Sequence, residues 1–111
     1  GEIPQPAAGK APPLPLEEDD EPTIVAGPHI DAGRVVLHVL DVPSRQVFVC
    51  AFEDEAGVSV EPLEGSWVPA PSSAARARVA RTALGVASKH RSQFAELFAE
   101  IARRRADADE R

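Results

Sequence analysis

The stretch RVVLHVLDVPSRQVFVCAF, residues 34–52, constrains this chain more than any other. It is dense in Val, Leu and Phe and is interrupted once, by VPSR, where Pro43 and Ser44 suit the second and third positions of a type I turn. Two antiparallel strands follow. With Val42 opposite Arg45, the register sets Leu40 across from Val47, Val39 from Phe48, His38 from Val49 and Leu37 from Cys50.

Alternation sorts this hairpin into two faces: Val35, Leu37, Val39, Phe48, Cys50 and Phe52 on one, and Val36, His38, Leu40, Val47, Val49 and Ala51 on the other. Both are apolar. A sheet covered on one side only carries polar residues on its open side, so the second face is expected to meet another layer. A chain with one evident helix lacks the material to cover both sides. The cover then comes from its own N-terminal arm, a second copy or a different protein, with Val36, Leu40, Val47 and Val49 as the contact.

A third short strand is predicted at Val58–Glu61, reached through DEAG, where Gly57 is free to take positive φ. Trp67 then precedes two prolines in WVPAP and is a candidate interface anchor, or else the seal at the end of the core. Ser72 or Ser73 can cap the helix that follows. Val79, Ala83, Val86, His90, Phe94, Leu97 and Ile101 fall in one stripe at helical spacing, which predicts a single long helix continuous across Gly85. On that stripe His90 is expected to be packed and hydrogen-bonded. Arg103, Arg104 and Arg105 are expected where the helix dipole favours cations, and ADADER, from 106, is expected to fray.

The tetrapeptide ALGV resembles the turn of a helix-turn-helix, but its surroundings disagree. Arg81 and Arg91 stand where that motif buries small or apolar residues, and burying two unpartnered guanidinium groups would cost several kcal/mol each. Gly85 inside one helix costs only about 1 kcal/mol relative to Ala. What keeps a nucleic-acid reading open is charge. No acid lies between Glu64 and Glu96, whereas Arg76, Arg78, Arg81, Lys89 and Arg91 all do, and a phosphate backbone or an acidic partner could run along them.

Residues 1–28 hold Pro4, Pro6, Pro12, Pro13, Pro15, Pro22 and Pro28 with the acidic run Glu17, Glu18, Asp19, Asp20 and Glu21. Such a segment buries too little apolar surface to offset its ordering entropy, so an acidic arm, disordered or docked, is expected there. It could lie along a groove or over the basic helix in polyproline II form. In a 111-residue chain this leaves one small domain, 29–106, with a tail at 107–111.

The formal charge of −6 argues against a surface that is wholly a nucleic-acid or anionic-membrane footprint. A lone cysteine, Cys50, forms no internal disulfide and suits a reducing compartment, and no apolar run approaches a bilayer span, so the expected setting is cytoplasmic. The absence of methionine is expected of a processed chain or a piece of a longer one.

Catalytic chemistry finds little support. His29, His38 and His90 show no metal-ligand spacing, and the register puts His38 and Cys50 on opposite faces. The glycines lack phosphate-loop spacing, and Glu53, Asp54, Glu55, Glu61 and Glu64 cluster in turn-like text. No catalytic residue, cofactor or metal is expected. The reading is an α+β fold, a small antiparallel meander on one long C-terminal helix. It would act as a protein-protein interaction or regulatory module, as a homodimer or a subunit of an assembly, with the arm recruiting or regulating. The alternative is a small DNA-binding regulator.

Overall fold

A computed structural model describes residues 21–54, 57–63 and 70–109. The order is β1 (Thr23–Asp31), β2 (Arg34–Asp41), β3 (Gln46–Asp54), β4 (Gly57–Pro62), α1 (Ser73–Lys89) and α2 (Arg91–Asp109). The strands form one antiparallel sheet in the order β1-β2-β3-β4, with the helices against one side. This is the expected α+β class, with one strand and one helix more than the sequence suggested.

The central hairpin pairs in the expected register, Val39 with Phe48 and Leu37 with Cys50, and closes at Asp41 and Gln46. In its four-residue loop the Arg45 amide donates to the Asp41 carbonyl at 2.8 Å, with Arg45 at φ 59°. Val35, Leu37, Val39, Phe48, Cys50 and Phe52 are all fully buried, and they join Val60, Ala75, Val79, Ala83, Phe94 and Ile101 in one core. Phe94 meets Phe52 edge-on, with ring centroids 5.2 Å apart. Burial pushes the Cys50 thiol up to about 12, which makes it a core residue rather than a nucleophile.

Strand β1 runs through text that reads as arm. Ala32 and Gly33, both at positive φ, make the two-residue turn that joins it to β2. The strand is irregular, with register shifts between Ile24 and Ala26 and between Ala26 and His29, and its Gly27–Pro28 peptide bond is cis. Gly27 has φ +95°, and a Cβ there would lie 2.5 Å from the Val36 carbonyl oxygen. Gly27→Ala therefore forces the edge strand off its neighbour. It should cost at least about 1–2 kcal/mol, the ordinary penalty of left-handed backbone for an L residue. Gly85→Ala faces open space inside α1 and should stabilise by about 1 kcal/mol. Opposite shifts in urea midpoint are expected, and equal effects would contradict this account of β1. The DEAG turn runs through Glu55 and Ala56, which lie outside the described residues.

The predicted single helix is two. The Oγ of Ser72 caps α1 by accepting from the Ala75 amide at 3.1 Å. The break comes at His90, with φ −115° and ψ 45°, and not at Gly85. The His90 amide still donates to the Val86 carbonyl at 2.9 Å, and the His90 carbonyl accepts from the Phe94 amide at 3.1 Å, so one residue absorbs the bend. On an unbroken rod the His90 imidazole would sit on the apolar stripe; the bend leaves it exposed, avoiding the cost of a buried polar ring. The expected packed His90 is thus corrected. Helix α2 runs on to Asp109, past the expected fraying point, so Arg103, Arg104 and Arg105 lie ahead of its last turn. Arg103 and Arg104 instead hold Glu100, whose carboxyl lies below its ordinary range through hydrogen bonds from the two guanidinium groups.

Candidate functional site

The sheet's second side collects the residues singled out as an interface. Val36 is 1% exposed and Ala51 4%, while His38, Leu40, Val47 and Val49 are half-buried. None of the six belongs to the core that the helices close. Register places Val36 between His29 of β1 and Ala51 of β3, so the apolar strip spans β2 and β3 and is flanked by polar residues, His29 on one side and Ser59 and Glu61 on the other. The His29 and His38 rings stack over it at 5.6 Å. Alongside lies a concavity of about 440 Å³ whose lining includes Arg34, His38, Val49, Ser59, Glu61 and Leu63. Leu63, at its rim, is 38% exposed.

One polar atom here is unmatched: His38 Nδ1 is buried with no hydrogen-bond partner among the described residues. Such an atom costs on the order of 1–3 kcal/mol. Trp67, the other proposed contact, lies outside the described residues, as do Glu55, Glu64 and residues 1–20 of the arm.

The basic helix divides into two groups. Arg78 makes a two-pronged ion pair with Asp41, Nε to Oδ1 at 3.0 Å and Nη2 to Oδ2 at 2.9 Å. The Asp41 side chain is wholly buried, and Ser44 donates to the same carboxylate from its Oγ at 2.6 Å and from its amide at 3.3 Å. Burial alone would raise the Asp41 carboxyl. The hydrogen bonds from Arg78 and Ser44, with the Arg78 charge, outweigh it and hold the group below its ordinary value. Arg76 donates to the Val60 carbonyl and pairs with Glu61 at 3.5 Å. Both therefore tie α1 to the sheet. Arg81, Lys89 and Arg91 are exposed.

Among the described residues the two outer strands of the sheet are poor templates for a further strand. Pro28 and the register shifts interrupt β1, and β4 is short and ends at Pro62. Among the described residues no group of three or more His, Cys, Asp or Glu is placed to hold a metal, and no helix is long and apolar enough to cross a membrane. No protein-family model matches the chain, and comparison with curated proteins and with solved structures gives no match.

Sequence reasoning missed the Asp41 anchor altogether. Asp41 occupies the last position before a Pro-Ser turn, a place usual for a solvated turn former. Its burial depends on a helix arriving 37 residues later, which no local pattern announces.

Proposed function

We propose that this protein is a non-enzymatic interaction or regulatory module that associates through the second face of its sheet, with itself or as a subunit of a larger assembly. The observation that carries this reading is the apolar strip of Leu40, Val47 and Val49, half-buried beside the buried Val36 and Ala51, which lies outside the helix-covered core and borders a concavity with an exposed leucine at its rim. The half-buried aliphatic side chains of Leu40, Val47 and Val49 in mid-sheet supply contact area. A DNA-binding role remains the weaker alternative, since Arg76 and Arg78 are engaged within the chain.

Light scattering tests the proposal, on wild type and on Val49→Asp, with Leu63→Asp as a rim variant that leaves the core alone. A wild-type mass above the monomer that falls to the monomer in both variants is expected for self-association. If association is with another protein, immobilised wild type should retain it from a host extract and both variants should lose it. Monomeric wild type that retains nothing contradicts the proposal.

A further inference from the structure

A second surface, on the far side of the core from that strip, forms where α1 meets α2. Leu84, Ala87, Ser88, Arg91 and Phe94 line a groove of about 240 Å³ at the helix break. Leu84 is 40% exposed although it is a large aliphatic residue. Arg91 lines this groove and Arg81 lies one turn before Leu84 on α1, and both cations are exposed. No acid occurs from residue 65 to residue 95, and the first on α2, Glu96, lies five residues beyond Arg91. The groove is therefore a mixed slot, apolar at Leu84, Ala87 and Phe94 and polar at Ser88 and Arg91, in a positive setting.

The chain holds a segment of the complementary composition. PPLPLEEDDEP, residues 12–22, places Leu14 and Leu16 directly before the five acids Glu17 to Glu21. Its point of departure is fixed, because Thr23 pairs with Leu40, next to Asp41, and Asp41 is gripped by Arg78 of α1. Glu21 and Pro22, which precede Thr23, therefore stand at the end of the sheet that α1 crosses. From Arg78 to Leu84 is six residues, about 9 Å along a helix. From Thr23 back to Leu16 is seven residues, a reach of up to roughly 23 Å. The arm is long enough with slack to spare.

We propose that residues 14–21 of this same chain are the ligand of the groove. Leu14 and Leu16 enter beside Leu84 and Phe94, and the acids Glu17 to Asp20 lie over Arg81 and Arg91. The prolines favour the extended form in which such a segment lies along a groove, reducing the entropy lost on docking. Exposed ion pairs are individually weak and screened by salt, so the arm is a strap that salt or a competing anion releases. In its docked position it covers the exposed cations that a nucleic acid or acidic partner would use.

Amide NMR of the full chain tests this. Wild type would be compared with a neutralised arm (Glu17→Gln, Glu18→Gln, Asp19→Asn, Asp20→Asn) and with Leu16→Ser. Wild type would also be followed from about 0.05 M to about 0.5 M salt, across which the Debye length falls from roughly 14 to roughly 4 Å. The amides of Leu84, Ser88 and Arg91 are expected to shift in both variants, and to move the same way in wild type as salt rises. Coincident resonances under all conditions would overturn the proposal. So would shifts at His38, Val49 and Ser59 instead, which put the arm on the sheet, or shifts that vanish on dilution, which put it on a second copy.

Discussion

Replacing Arg78 with Met is expected to destabilise the protein by about 3–5 kcal/mol, because it leaves the buried Asp41 carboxylate without its cation. Asp41 is wholly buried beneath the hairpin loop, and Ser44 alone cannot neutralise it. In a small domain whose total stability is on the order of 5 kcal/mol, that loss is enough to unfold much of the population at room temperature. Adding Asp41→Asn to Arg78→Met removes the stranded charge and should recover part of the loss, whereas Asp41→Asn alone leaves the guanidinium able to reach solvent and should cost less than Arg78→Met. Urea unfolding of the three variants measures this, and an Arg78→Met effect below about 1 kcal/mol, the range of an exposed pair, would contradict it.

The same pair sets a pH dependence. The folded-state carboxyl of Asp41 lies below its ordinary value of 3.8, so folding keeps the proton off. The stabilisation is fully present above that value. It is lost as pH falls below it towards the folded-state value, since the unfolded chain takes up the proton first. Wild type should thus lose stability more steeply than the Asp41→Asn, Arg78→Met double variant below about pH 4.

Phe94→Ala should be about as damaging, at about 3–5 kcal/mol. Phe94 is 2% exposed, meets Phe52 edge-on and is the first buried residue of α2 after the break. Without its ring, Ile101 is the other fully buried residue holding α2 to the sheet. Loss of helical circular dichroism ahead of the sheet signal is the expected form of the damage. Full helicity with a cost under about 1 kcal/mol, as for a surface site, would show that α2 does not depend on this contact.

These two sites differ in how visible they were beforehand. Phe94 could be read from the stripe, because the period of 3.6 marks a buried face wherever the rod ends. The β2–β3 hairpin was legible for a similar reason: alternation and a Pro-Ser turn leave one register that buries Val35, Leu37 and Val39 together. Strand β1 was hidden, since Gly27 and Pro28 are strand breakers and the structure accommodates them in an irregular stretch at the sheet edge. The helix break was missed because the apolar stripe runs through His90 without interruption, while the actual bend leaves the His90 ring in water and lets Phe94 reach Phe52. The candidate interface residues could be placed on one face from sequence. Their partly buried state could not, because it depends on neighbours in β1 and β4.

Side-chain footprinting by hydroxyl radicals addresses the association surface most directly, with dilute protein set against protein in its associated state. Oxidation of Leu40, Val47, Val49 and Leu63 should fall on association while Val25, exposed on the outermost described strand β1, stays as reactive as before. Unchanged reactivity at those four, with protection appearing at Val25 or along Arg81 to Arg91, would mean that the molecule meets its partner through another surface.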